Sequence, residues 1–139
     1  VLPQFVIRMK RVCDETRDET VKFPIQGTGE ESRSFVYIDD FIEGVMTMSA
    51  LGEHLGVYHI GSSEEAKISD VVKLVGAYFE RNVEIIPGEL QAGGTMRRCP
   101  DITKISALGY KPNFSLSQGL PLLAKSYVNN AHLAPSSLK

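Results

Sequence analysis

The sequence predicts an α/β protein, with about five helices set between short strands at Phe23, Val36, Val57 and Val83. Three observations carry that reading. Apolar residues recur at helical steps of three and four in several segments, among them Phe5, Val6, Met9 and Val12, and again Val71, Val72, Val75, Tyr78 and Phe79. Other runs alternate apolar with polar residues, or are short and continuously apolar, as strands are. Gly and Pro stand at the seams between the two kinds of segment.

Pro3 suits the first turn of a helix, where its missing N–H costs nothing, and Phe5 to Val12 give that helix one apolar face. The polar run Asp14 to Glu19 ends it as a solvated loop. Val21, Phe23 and Ile25 alternate with polar or small neighbours, predicting a half-buried strand that Pro24 confines to an edge or an end. Beyond the segment from Gly27 to Asp40, a helix opened by Asp39 or Asp40 runs to about Leu51, with Gly52 as its C-terminal cap. Its apolar residues Phe41, Ile42, Val45, Met46, Met48 and Leu51 cover more than one narrow stripe. That breadth predicts contacts on two sides, or burial against something larger than this chain.

Val57-Tyr58-His59-Ile60 reads as a strand buried on both faces of a parallel sheet, with His59 a packed sheet residue rather than a metal ligand. Ser69 caps the next helix, which runs on to Phe79, and Val83 to Ile86 form a strand stopped by Pro87. Gly88 to Thr95 is a loop, and Ile102 to Leu108 a short helix closed by Gly109. Ser115-Leu116-Ser117-Gln118 has the spacing of a capping box and opens a helix with Leu116, Leu120, Leu123 and Tyr127 in phase. After Asn129 the residues turn small and polar, and a flexible tail is expected at 132–139.

At 139 residues the chain is long enough to bury a sizeable core, and its 42% apolar and 23% charged residues are those of an ordinary globular protein. A formal charge of −2 leaves no basic footprint for nucleic acid or an anionic membrane. No apolar run approaches a membrane span, and the start shows no charged n-region with a small-residue cleavage site. Cys13 and Cys99, far apart and outside any CxxC, read as reduced thiols of a cytoplasmic protein rather than a disulfide. Val1-Leu2-Pro3 enters a helix without an initiator Met, so the chain is expected to be part of a longer polypeptide.

The rest of the chain is organised around Gly27-Thr28-Gly29-Glu30-Glu31-Ser32-Arg33-Ser34-Phe35-Val36-Tyr37-Ile38-Asp39-Asp40. Gly27 and Gly29 supply a turn that can take positive φ and come close to a ligand. Arg33 is a planar cation with five donors, suited to gripping two phosphate oxygens at once. Phe35 to Ile38 reads as a short strand, and Asp39 and Asp40 stand where a helix cap belongs. Together they make a plausible anion clamp or, read plainly, a turn leading into an ordinary helix with Arg33 solvated. They do not make a catalytic centre.

This run resembles the segment GxGxxxRxFxYxxD in the C-terminal half of the extended short-chain dehydrogenase/reductase family, which acts on nucleotide sugars. Other segments match in the same order. Val1 to Phe5 is similar to the helix start after that family's YGP, and Tyr58-His59-Ile60-Gly61 to its YNxG, with His59 in place of Asn. Arg98-Cys99-Pro100-Asp101 resembles its RxxD, Leu108 to Pro112 its LGYxP, and Phe114 to Leu120 the SLxxGL that opens its last helix. The resemblance implies the C-terminal substrate-binding lobe of an extended short-chain dehydrogenase/reductase with a Rossmann-type parent. It also implies that one helix and one strand belong to the dinucleotide-binding sheet. Residues 1–131 would form the substrate-binding portion of a nucleotide-sugar epimerase or dehydratase, with 34–62 packing on the missing Rossmann domain.

The family's catalytic motifs do not occur in this chain. No GxxGxxG follows a strand, and Tyr37, Tyr58, Tyr78, Tyr110 and Tyr127 are followed four residues later by Phe41, Ser62, Asn82, Phe114 and Ala131, never by Lys. The chain is therefore expected to hold no catalytic, cofactor or metal residue, with NAD bound by the N-terminal Rossmann half of a parent that forms a homodimer. The resemblance assigns Arg33 and Arg98 to the diphosphate of a UDP- or dTDP-sugar, each contact contributing roughly 1.5–3 kcal/mol before desolvation. Arg97 competes with Arg98 for that role. Asp101 would cap the following helix or accept from a ribose hydroxyl. Backbone at Phe23, Pro24, Ile25 and Gln26 would lie beside the nucleobase, with Leu2, Pro3 and Gln4 on the base and sugar side. The parent would oxidise the sugar at C4. Other readings are a nucleotide-sugar binding or regulatory module without catalysis, a UDP-uronate decarboxylase or reductase relative, and a purely structural interaction domain.

Overall fold

The computed structural model describes residues 1–90 and 93–133. Its elements are α1 (Leu2–Glu15), β1 (Thr20–Pro24), β2 (Ser32–Ser34), α2 (Ile38–Leu51), β3 (Glu65–Lys67), α3 (Ile68–Tyr78), β4 (Asn82–Ile86), β5 (Arg97–Arg98), α4 (Thr103–Ser106) and α5 (Leu116–Asn129). The fold is mixed α/β, with two small sheets. Of the tail expected at 132–139, Ala131–Leu133 form a 3-10 turn and the remainder lies outside the described residues. No helix of the described residues is long and apolar enough to cross a membrane.

One hydrophobic core joins three helices to one sheet. β1 and β4 pair in parallel, Thr20 opposite Asn82 through Pro24 opposite Ile86. Val21 and Phe23 point inward from β1, followed by Ile25 just past its end, as the alternation predicts. Phe5, Val6 and Met9 of α1, Val71, Val72 and Val75 of α3, and Leu120 and Ala124 of α5 close over them. The Phe5 and Phe23 rings meet edge to face, their centroids 5.6 Å apart. The capping box at Ser115 and Gln118 forms as its spacing predicts and starts α5.

The second sheet has the order β3-β2-β5, antiparallel on one side of β2 and parallel on the other. Between the sheets the segments 20–34 and 82–98 stay in touch. Ile25 N donates to Ile86 O, Gly27 N to Glu89 O, Gly88 N to Gly27 O and Ser32 N to Met96 O.

Three local expectations are corrected. The strand expected at Phe35 to Ile38 lies instead at Ser32–Ser34, because only there do β3 and β5 offer partners on both sides. Val57 to Ile60 is no strand; no segment of the described residues pairs with it, Val57 is 77% exposed and His59 is exposed rather than packed. The helix caps also move. α2 begins at Ile38, so Asp40 lies in its first turn and reaches across to other backbone. Ser69 lies inside α3, whose first amides are instead met by the carbonyls of Glu31 (from Ile68 N, 2.8 Å) and Gly29 (from Ser69 N, 2.9 Å).

α2 is built the wrong way round for a helix on a core. Its buried residues are Asp40 and Gly44, while Phe41, Ile42, Met46 and Leu51 lie on the outside, Met46 at 65% exposure. Asp40 accepts from Asn113 N and Phe114 N, each at 2.9 Å, and so ties α2 to the entrance of α5. Gly44 lets Ile60 and Tyr110 approach the helix backbone; a Cβ there would lie 2.4 Å from Ile60 Cγ2. Tyr110 donates to Gly61 O at 2.8 Å, and burial, then the charges of Asp40 and Glu43, push its phenol pKa up.

Candidate functional site

β2 and β5 place the two arginines side by side. Ser32 lies opposite Arg97 and Arg33 opposite Arg98, and register partners on adjacent strands share a face. Arg33 and Arg98 therefore occupy one face of the sheet with Ala66, and Ser32, Ser34, Glu65, Lys67 and Arg97 the other. The two strands run at the usual separation of about 4.8 Å.

The second face neutralises its own charge. Arg97 Nε donates to Glu65 Oε2 at 3.0 Å, its Nη2 forms an ion pair with the same oxygen at 2.9 Å, and the Ser32 hydroxyl donates to Oε1 of the same carboxylate. The Ser32 hydrogen bond first, then Arg97, hold Glu65 below the usual carboxylate range; Glu65 in turn raises Arg97. Arg97 is thus paired with Glu65, on the opposite face from Arg98.

The Arg33–Arg98 face is different. Arg33 Nη2 donates to Thr95 O at 2.9 Å, and its Nη1 to Ser32 O at 2.6 Å and Met96 O at 3.4 Å. Arg98 Nε donates to the Thr95 hydroxyl at 2.7 Å. Every one of these acceptors is a neutral oxygen. Among the described residues neither guanidinium forms an ion pair. A guanidinium bound only to neutral oxygens keeps its charge for an oxyanion, with which it forms charge-assisted hydrogen bonds.

The Gly27–Gly29 turn does not present its amides to a ligand. Both glycines have positive φ, 78° and 89°, and the turn closes on the chain's own Glu31. Its carboxylate accepts from Thr28 N at 3.0 Å and Gly29 N at 2.8 Å, with the Thr28 hydroxyl at 3.5 Å. A Cβ on Gly27 would lie 2.2 Å from Glu31 Oε1, so the turn needs glycine there. Glu31 is buried, yet its own amide and those of Thr28 and Gly29 outweigh burial and hold it below the usual carboxylate range.

Asp101 Oδ1 accepts from Thr103 N at 2.9 Å at the start of α4, whose N-cap is Ile102. Contact with Thr103, side chain and then backbone, lowers its pKa, and nearby His59 adds to this. Leu2 and Pro3 open α1, half-buried, Leu2 against the core. Pro24 ends β1 and its carbonyl accepts from Arg8 Nη2 at 2.5 Å, which ties α1 to that strand end. Ile25 is buried and Gln26 exposed just before the glycine turn. The structure thus joins Arg33 with Arg98 and links α1 to the end of β1. Thr95, which both arginines use, was not singled out from the sequence, since a threonine in an irregular loop carries no signal of its own. Among the described residues no three His, Cys, Asp or Glu side chains cluster as a metal site would require.

No family model matches the chain. It is 35% identical over 104 residues to UDP-glucuronic acid decarboxylase 2 of Arabidopsis thaliana, covering 74% of this chain and 23% of that protein. Probable GDP-L-fucose synthase 1 of Oryza sativa subsp. japonica is 29% identical over 132 residues, covering 94% of this chain and 39% of that one. Among solved structures, dTDP-glucose 4,6-dehydratase of Streptomyces venezuelae, with NAD bound, superposes with a TM-score of 0.78 at 26% identity, over 99% of this chain and 40% of that one. UDP-glucuronic acid 4-epimerase of Bacillus cereus, in complex with UDP-glucuronic acid and NAD, gives a TM-score of 0.75 at 25% identity, over 92% and 39%. The chain spans less than half the length of each of these relatives. Sharing sequence with these relatives and the fold of these solved structures, the chain belongs to the extended short-chain dehydrogenase/reductase family of NAD-dependent nucleotide-sugar epimerases and dehydratases.

Proposed function

We propose that this chain holds the diphosphate of a UDP- or dTDP-sugar between Arg33 and Arg98, within an NAD-dependent enzyme that oxidises the sugar at C4. The observation that carries the reading is the pair itself: two arginines in register on one sheet face, with neutral oxygens as acceptors and, among the described residues, no ion pair to either. Arg97, on the opposite face, is spent on Glu65. Pro24, Ile25 and Gln26, with Leu2 and Pro3 beyond Arg8, offer backbone on the base side of the same nucleotide. Asp101 acts there by fixing the start of α4, three residues after Arg98.

NAD would supply the hydride acceptor for oxidation at C4. Glu31 already takes up the Thr28 and Gly29 amides of the glycine turn, which supports assigning the cofactor to the N-terminal half of the parent. The outward apolar residues of α2, with Leu55 and Val57, are the surface on which that half packs. A decarboxylating parent is the sister reading, in keeping with the relatives from Arabidopsis thaliana.

In the full-length protein, Arg33→Ala and Arg98→Ala each weaken UDP-sugar or dTDP-sugar binding by about ten-fold or more, as a lost charged contact does. Titration calorimetry reads this directly, and unchanged affinity in either variant removes that residue from the site. Turnover of UDP-glucose against release of carbon dioxide from UDP-glucuronate separates the two chemistries.

A further inference from the structure

Glu31 stands two residues before Arg33 and is 4% exposed. Burying a carboxylate is costly unless its oxygens find donors, and here the donors are the amides of Thr28 and Gly29, at 3.0 Å and 2.8 Å. The backbone around it is held as well. Glu31 O accepts from Ile68 N at 2.8 Å, Gly29 O from Ser69 N at 2.9 Å, and Ser32 N donates to Met96 O at 2.8 Å. Residues 29–32 are therefore fixed by the glycine turn, by the first turn of α3 and by the loop leading into β5.

The alternative placement of this carboxylate shows what the arrangement achieves. Side chains two apart on a strand share a face, so continuing β2 back by one residue would put Glu31 on the face of Arg33. There it would neutralise the guanidinium and compete with any phosphate. Folding into the turn takes the charge away from that face and gives it to two N–H groups.

We propose that Glu31 is a positioning residue for the anion clamp. Its carboxylate fills the Gly27–Gly29 turn as an internal anion, fixes the start of β2, and so sets Arg33 beside Arg98 with its charge left for a diphosphate. The inference rests on the diphosphate reading above.

A double-mutant cycle in the full-length protein tests it, with UDP and uridine as probes and Glu31→Gln, Arg33→Ala and the double variant as proteins. Gln preserves size but turns an N–H₂ group towards an amide donor. Glu31→Gln is expected to weaken UDP binding by roughly five- to ten-fold with uridine unchanged, and to add nothing in the Arg33→Ala background. Unchanged UDP affinity, an equal loss of uridine, or full additivity with Arg33→Ala overturns the role of Glu31 while leaving the clamp intact. Unchanged UDP affinity in Arg33→Ala overturns the clamp and this role together. Formate, a carboxylate small enough to enter the turn emptied by Glu31→Ala, restores UDP affinity to that variant; failure to restore it also counts against the role.

Discussion

Glu31 carries its charge inside a turn of backbone amides, and the consequence is a pH-dependent stability. Its folded-state pKa lies below the ordinary glutamate value of ~4.3 because those amides bind the ionised form. A depressed carboxylate contributes its stability in full above the unfolded value and loses it as pH falls through the folded one. Thermal melts of wild type and Glu31→Gln are therefore expected to differ most near neutral pH and to converge as pH falls below the ordinary glutamate value and through the lower folded one. A difference that stays constant across the range contradicts this. At this scale the sequence was partly legible. Arg33 and Arg98 stood out through their matched motifs, and the register then separated Arg98 from Arg97. Glu31 did not stand out, because a glutamate after a glycine turn reads as solvated until the amides around it are seen.

At the scale of elements, helices were easier to read than strands. α1, α3 and α5 have apolar residues at helical spacing and turn most of them towards the core, Tyr127 of α5 staying exposed, and the Ser115 capping box is local chemistry that spacing alone reveals. A strand exists only where another segment pairs with it, which single-segment patterns do not record. Hence Ser32–Ser34, polar throughout, is a central strand, whereas the apolar Val57 to Ile60 is unpaired. α2 shows the same dependence on partners: its carboxylate and its glycine face inward and its apolar residues outward. The inward contact is tight. Gly44→Ala is expected to destabilise the chain by about 1–3 kcal/mol, as overpacking does, because the new methyl group would strike Ile60 and press on Tyr110. Urea denaturation measures it; a variant as stable as wild type would mean that Ile60 moves aside freely.

For the whole molecule, the core of α1, α3 and α5 on the β1–β4 sheet is complete, while the face formed by α2 and the following loop is not. Ile38, Phe41, Ile42, Met46, Leu51, Leu55 and Val57 lie exposed along it. Each large apolar side chain withdrawn from water is worth roughly 1.5–3 kcal/mol, so a covering partner is strongly favoured. The chain made alone is expected to self-associate in sedimentation equilibrium, with the Ile42→Asp, Met46→Asp variant shifted to monomer. A monomeric unaltered chain would contradict that. The apolar breadth of α2 was readable in the sequence; which residues would be left outside was not, because that depends on what else is present to cover them. The proposed role of Arg33 and Arg98 is a clamp for diphosphate and not for nucleoside. Its most direct measurement is the affinity of the full-length protein for UDP and for uridine, or for dTDP and thymidine, with Arg33 and Arg98 both intact and both replaced by Ala. The double variant is expected to bind the diphosphate no better than the nucleoside, with nucleoside affinity unchanged. A diphosphate advantage that survives the loss of both arginines would contradict the claim.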